Sequence, residues 1–305
     1  MHKFIMSQSG YSQSATLLDE VKLLQSFYSI FFVVCYNIYK ILFFPLKIIN
    51  YQSKRTNQKG RHLTMSNIII TGASRGIGRA IALALADKNN NIVLNCVQNK
   101  DLLAQVQQDI IKMGGNAEMD IGDVGCYNNV ENLVACMHHF YGDVDILINN
   151  AGISAIGLLQ DTTPPEWHHT FHVNVHAIYN CCKLCIPDMI KKKSGKIINI
   201  SSVWGTVGAS CEVAYSAAKG AVNAMTKALA KELAPSNIQV NAIACGLIDT
   251  EMNNHLNDDE KNALTDEIPI GRMGRPEEIG EFVKQLCNSP SYLTGQVITI
   301  DGGWT

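Results

Sequence analysis

Proline is scarce in this chain, with 8 among 305 residues, and charged side chains make up only 17%. With 47% of its residues hydrophobic, the chain can bury a sizeable core, which excludes global disorder, collagen-like repeats and low-complexity classes. An excess of positive charge is absent too. The formal net charge is −2, which argues against a nucleic-acid protein that works by phosphate neutralisation. The ten cysteines (Cys35, Cys96, Cys126, Cys136, Cys181, Cys182, Cys185, Cys211, Cys245 and Cys287) show no spacing that would make a disulfide framework. A chain long enough for one large α/β domain needs no such staples. They read as reduced thiols of a cytoplasmic protein. Cys181, Cys182 and Cys185 lie close in sequence, but a zinc site wants a second close pair. Core cysteines on a helix are the plainer reading, and no metal is expected.

Charge is unevenly spread. Residues 1–64 carry eight Lys or Arg against Asp19 and Glu20, so the remainder is acidic. Within this segment, residues 27–49 (FYSIFFVVCYNIYKILFFPLKII) form an apolar run about long enough to cross a bilayer. Asn37, Lys40, Pro45 and Lys47 interrupt it, which makes its second half a poor spanning helix. The run starts late and no small-residue cleavage site follows, so it is not a standard signal peptide. Two readings stand for 1–64: a membrane anchor, or an upstream extension included by an early start codon. Residues 65–305 make a full single domain.

From Met65 onward short β-branched runs alternate with longer helical patterns. Strands are expected at 67–71, 91–97, 116–121, 144–149, 195–201, 237–243 and 296–300. Helices are expected at 76–88, 100–113, 126–141, 164–192, 212–233 and 276–288. This rhythm predicts a doubly wound parallel sheet of seven strands, a Rossmann-type α/β fold in one domain. The first strand runs into Thr71-Gly72-Ala73-Ser74-Arg75-Gly76-Ile77-Gly78 and then a helix. Glycines there let backbone N–H groups approach a pyrophosphate at the helix N-terminus.

That loop, Asn149-Asn150-Ala151-Gly152 after the fourth strand, and Tyr215-x-x-x-Lys219 together resemble the short-chain dehydrogenase/reductase family. The resemblance spans 65–305 and leaves 1–64 unmatched. It implies NAD or NADP bound by a homotetramer. Asp123 and Val124 would meet the adenine, Asn150, Ala151 and Gly152 would line the adenosine side, and Ile248 and Thr250 would hold the carboxamide. No acid occurs in Ile92 to Asn99 to accept a free ribose 2′-OH, whereas Arg75 can pair with a 2′-phosphate, so NADPH is expected.

Tyr215 and Lys219 are four residues apart and share a helix face. A nearby ammonium and the positive nicotinamide ring would favour the phenolate and lower the tyrosine pKa. The resemblance implies that Tyr215 gives its proton to a carbonyl oxygen while Lys219 also holds the ribose hydroxyls. Ser202 would bond the same oxygen, with Ser201 as its competitor, and Asn174 would anchor a water next to Lys219. This full set disfavours a non-catalytic scaffold on the same fold. His168, His172 and His176 form a ladder at i, i+4, i+8 that could hold zinc, but interface or surface histidines fit better. Lys191, Lys192 and Lys193 read as a solvated helix end.

For the substrate, two resemblances compete. The bulk of the chain is similar to 3-oxoacyl-(acyl-carrier-protein) reductases, for which Lys193 fits a docking position and Pro235-Ser236-Asn237 supplies no charge. The segments around Ser202-Val203-Trp204-Gly205, Cys211-Glu212 and Asp266–Arg272 resemble reductases that act on a 5-aminopentanone group carried by elongation factor P. Trp204 is then a substrate wall or a core anchor. Glu212 is a pocket carboxylate or merely a helix-start residue. Cys245 stands where relatives carry proline before Gly246.

Overall fold

The structure is a computed structural model describing residues 66–254 and 256–305. The apolar run 27–49, and the anchor reading with it, lie outside the described residues. Among those described, no helix is long and apolar enough to cross a membrane.

Strands β1 (Ser66–Ile70), β2 (Asn90–Cys96), β3 (Asn116–Ile121), β4 (Ile146–Asn149), β5 (Gly195–Ser202), β6 (Ile238–Cys245) and β7 (Val297–Ile300) form one parallel sheet. Its order is β3-β2-β1-β4-β5-β6-β7, the Rossmann-type arrangement that the strand–helix rhythm predicts. Helices cover both faces, so central strands such as Ile68-Ile69-Ile70 are apolar at every position. Ile68 and Ile70 join a core with α1 (Gly76–Ala84), α2 (Lys100–Lys112) and α9 (Pro276–Cys287). Ile69 joins the opposite core with α3 (Tyr127–Phe140), α5 (Ala177–Lys192) and α7 (Val213–Leu233). Cys181, Cys182 and Cys185 lie in that second core, where burial pushes their thiols well up from the ordinary range.

Three features depart from the expected elements. The stretch 164–192 is not one helix: α4 (Pro164–Phe171) passes through a π turn (His172–His176) before α5. Thr163 and Glu166 close a capping box at the start of α4, which fixes where it begins. A short α6 (Trp204–Val207) follows β5 directly. The polar helix α8 (Asp258–Glu267), capped by Asn257 and Glu260, buries no residue and so carries no apolar stripe to betray it.

At the sheet edge opposite the strand C-termini, three asparagines pair in register across β1, β2 and β3. Asn116 Nδ2 donates to Asn91 Oδ1 at 3.0 Å, and Asn91 Nδ2 donates to Asn67 Oδ1 at 2.9 Å. Asn67 in turn donates to the carbonyls of Tyr141 and Asp143. Asn91→Ala removes the middle link and leaves the buried Asn67 oxygen without a donor. The expected loss is about 1–3 kcal/mol of unfolding free energy, read from the urea midpoint at unchanged slope.

Candidate active site

The strand order reverses between β1 and β4, and a crevice opens beyond their C-terminal ends, where ligands of such sheets bind. Thr71 Oγ1 accepts the N–H groups of Asn150 and Ala151, both at 3.0 Å. Asn150 Nδ2 returns hydrogen bonds to the carbonyls of Thr71 and Gly72 at 3.0 Å. Thr71 and Asn150 therefore build the loop rather than project from it. Gly78 faces the same knot: a Cβ there would overlap Gly72 O and stand 2.5 Å from Asn150 Nδ2. Gly72 has φ +63°, a left-handed backbone that favours glycine.

The glycine loop delivers the first turn of α1 bare. Arg75 at its N-cap makes no side-chain cap bond, and no acid occupies the first turn. The exposed N–H groups and the helix dipole fit a pyrophosphate. A cavity of about 490 Å³ adjoins them, lined by Ser74, Arg75, Gly76, Arg79, Gln105 and Thr250 among others. Thr250 closes on the loop, its Cγ2 3.3 Å from where a Gly76 Cβ would be. Ile77 packs against the first core, and buried Ile248 bridges to Gly274. These residues fit a dinucleotide. Arg79, which sequence spacing did not single out, lines the cavity beside Arg75, although Asp109 lies 3.5 Å from its guanidinium.

The Asp123 carboxylate is already engaged. It accepts from Gly125 N at 2.8 Å and pairs with His172 Nε2 at 2.9 Å. That pairing and the Gly125 N–H outweigh partial burial and hold its pKa below the usual carboxylate value. Val124 is buried, and its carbonyl accepts from Asn180. The π turn splits the histidine ladder: His172 turns to Asp123, 6.1 Å from the His176 ring. Cys126 lies beside this pair, and the three donor atoms lie within 4.8 Å of one another.

Asn174, Ser202, Tyr215 and Lys219 come together at the crevice floor. Ser202 ends β5, and its hydroxyl lies near enough to the Tyr215 phenol to favour the phenolate slightly. Ser201 faces the other way, donating to Asn223 Oδ1 at 2.7 Å, so the structure separates the two serines. Lys219 Nζ donates to Ile200 O at 3.0 Å and lies 5.5 Å from the centre of the Tyr215 ring. The π turn presents fully buried Asn174, whose amide donates to Ile153 O and Thr170 O, both at 2.9 Å. A Cβ at Gly152 would stand 2.9 Å from Asn174 Oδ1 and 3.4 Å from Lys219 Nζ, so only glycine lets these groups converge. Cys245 pairs in register with Ser202, and its carbonyl accepts Val203 N–H at 3.0 Å. The strand thus runs regularly to Gly246 without the proline.

The tyrosine pKa moves opposite to the sequence-based expectation. Burial raises it, Cys245 and Glu212 raise it further, and only the nearby Ser202 hydroxyl opposes them. Burial lowers Lys219 to about 8. The ammonium lies near the ring but donates to a backbone carbonyl, so it does not offset desolvation of the phenolate.

Glu212 stands at the N-cap of α7 yet makes no cap bond. Its carboxylate turns instead to Ser154, accepting from Oγ at 2.6 Å. Ser154 was invisible in the sequence because its partner lies 58 positions away. Trp204, half-buried at the start of α6, meets Trp304 of the C-terminal tail edge-to-face, with ring centres 4.9 Å apart.

The family model for short chain dehydrogenases matches residues 66–261. An uncharacterized oxidoreductase of Bacillus subtilis, YmfI, is 40% identical over 238 residues, covering 77% of this chain and 97% of the relative. The 3-oxoacyl-[acyl-carrier-protein] reductase FabG of Chlamydia trachomatis is 38% identical over 242 residues, covering 79% and 98%. A crystal structure of a short-chain type dehydrogenase/reductase from Mycobacterium marinum superposes with a TM-score of 0.74 at 34% identity, covering 80% and 96%.

Lys219 yields a pH prediction. Its charge is present below about pH 8 and lost above it. Turnover that draws on that charge is expected to fall as the pH rises through about 8. Between there and the ordinary lysine value of 10.5, the unfolded chain keeps a proton that the folded chain has lost, so unfolding free energy should rise with pH. A kcat/KM profile flat to about pH 10 would take the Lys219 proton out of the reaction.

Proposed function

This chain belongs to the short-chain dehydrogenase/reductase family of oxidoreductases acting on the CH–OH/C=O couple, and from that premise we propose an NADPH-dependent ketone reductase whose substrate carries an ammonium, the 5-aminopentanone group held on elongation factor P. The NADPH, when bound, supplies the hydride. Tyr215 holds a proton at neutral pH, because burial and Glu212 disfavour its anion, and gives it to the carbonyl oxygen. Ser202 donates to the same oxygen, and Lys219 with Asn174 keeps the inner wall polar and positively charged. The working enzyme is residues 65–305, with 1–64 as an extension.

The observation that carries the substrate reading is the direction of Glu212. A carboxylate that merely favoured its helix would cap the backbone; this one leaves it unbonded and is held by Ser154, close enough to Tyr215 to raise its pKa. An anion there disfavours a neutral or anionic chain and favours a cation. The alternative, reduction of a 3-oxoacyl chain on acyl carrier protein, draws support from the FabG relatives and from Lys193 at the exposed left-handed end of α5.

The NADPH preference rests on Arg75, exposed at the α1 N-cap, and on the absence of an acid at the end of β2. Arg75→Ala is expected to weaken NADPH roughly ten- to a hundredfold and NADH little, by fluorescence titration; equal losses would give Arg75 another task. For the substrate, two ketones serve: one with a dimethylammonium three methylenes from its carbonyl, and its neutral isopropyl isostere. Glu212→Gln should lower kcat/KM for the cationic ketone roughly ten- to a hundredfold and leave the neutral one nearly unchanged. A parallel assay on aminopentanone-bearing elongation factor P and acetoacetyl carrier protein then separates the two protein-borne substrates. Equal responses of the two ketones to Glu212→Gln would move the oxoacyl reading ahead.

A further inference from the structure

The C-terminal tail is bound to the end of helix α8 as one unit. Ile270 N–H donates to Gly302 O at 3.3 Å, and a Cβ at Gly302 would stand 2.6 Å from Ile270 Cγ2 and 2.9 Å from Ile268 Cγ2. Asp301 folds the last residues into a tight turn, accepting from the N–H groups of Gly303 and Thr305 at 2.9 and 2.8 Å. This turn carries Trp304 to two partners. Its Nε1 donates to Glu267 Oε2 at 3.4 Å, and its ring meets Trp204 edge-to-face. Trp204 is tied to the reacting end of the crevice: its N–H donates to Ser202 Oγ at 3.2 Å. The next residue, Gly205, lies against Lys219, with a Cβ there only 2.6 Å from the Lys219 carbonyl carbon.

Two half-buried indoles and a carboxylate thus stand together, joined to the reacting end through the Trp204–Ser202 hydrogen bond. Edge-to-face contact leaves part of an indole face uncovered. An indole face is the best aromatic surface for a cation, and a carboxylate hydrogen-bonded to the same ring adds negative potential without closing it off. The chain's own nearby guanidinium does not fill the place. Arg272 is held in a bidentate pair with Glu278, both bonds at 2.8 Å, and among the described residues no lysine or arginine pairs with Glu267.

We propose that Trp204, Trp304 and Glu267 form a cation subsite that receives the alkylammonium end of the substrate. The proposal rests on the ammonium-ketone reading above and adds to it. Glu212 attracts the ammonium through its field, whereas the indole pair and Glu267 make the direct contact and thereby set which amines are accepted. The same geometry gives the tail a specific task, because Trp304 reaches Trp204 only while the turn at Asp301 and the Gly302–Ile270 contact hold.

The experiment measures KM and kcat of the full chain with the dimethylammonium ketone and its isopropyl isostere. Trp304→Leu and Trp204→Leu should each raise KM for the cationic ketone about three- to thirtyfold at nearly constant kcat, and leave the neutral ketone within about twofold. Trp304→Phe should recover part of the loss, and Glu267→Gln should show the same split. Melting temperature and NADPH titration check that each variant folds. A parallel KM rise for both ketones, or no change for either, overturns the subsite. The underlying reading fails differently. There, wild-type protein shows no preference for the cationic ketone and Glu212→Gln makes no distinction, whereas a wild-type preference that survives in every Trp304 variant removes only the subsite.

Discussion

The junction between the ends of β1 and β4 registers everything at the C-terminal edge of the sheet. Thr71 there satisfies two backbone N–H groups of the neighbouring strand end, and Asn150 satisfies two carbonyls of the first. Four hydrogen bonds from two side chains fix the separation of the glycine loop from the segment 150–154. Because Gly78 must approach this knot without a side chain, α1 starts at one height above the sheet. Gly152, two residues beyond Asn150, then brings Asn174 and Lys219 to one point, and Ser154 beyond it holds Glu212. The dinucleotide cradle and the proton-handling cluster are thus two ends of one short connection.

Charge in the crevice is organised by desolvation more than by pairing. Tyr215, Lys219 and Cys245 are all buried; burial raises the phenol and thiol and lowers the ammonium. At neutral pH both the phenol and the ammonium keep their protons, the state required to protonate a carbonyl. Running the couple backward requires the phenolate, which the Glu212 anion also opposes. The resting site therefore holds an available proton on the phenol before any substrate enters.

Much of this was legible in the sequence, and for a physical reason. Parallel strands covered on both faces leave continuous apolar runs, and Ile68-Ile69-Ile70 or Ile92-Val93-Leu94 stand out wherever they occur. The loop Gly72–Gly78 and the spacing of Tyr215 and Lys219 are local patterns. What escaped is either non-local or unpatterned. The acidic α8 buries no residue, so no period marks it. The π turn at Asn174 follows from backbone geometry that no residue type announces. Ser154 bonded to Glu212 and Trp304 against Trp204 each join segments distant in sequence. The direction of the Tyr215 shift failed because sequence shows a neighbouring lysine but not the depth at which both are buried.

The asparagines at the far edge of the sheet bear on a different problem. Strands apolar on both faces have no inside or outside by which to find their alignment, and a slide of two residues between β1 and β2 would leave much of their buried surface unchanged. Asn67, Asn91 and Asn116 reduce that degeneracy, because a slide that carries Asn67 past Asn91 to face Val93 leaves the buried Asn67 and Asn91 amides without each other. Every donor in the row points the same way, from β3 through β2 to β1 and on to the carbonyls after α3. The row therefore acts as an alignment mark, selecting one offset from several that hydrophobic burial alone would treat as nearly equal.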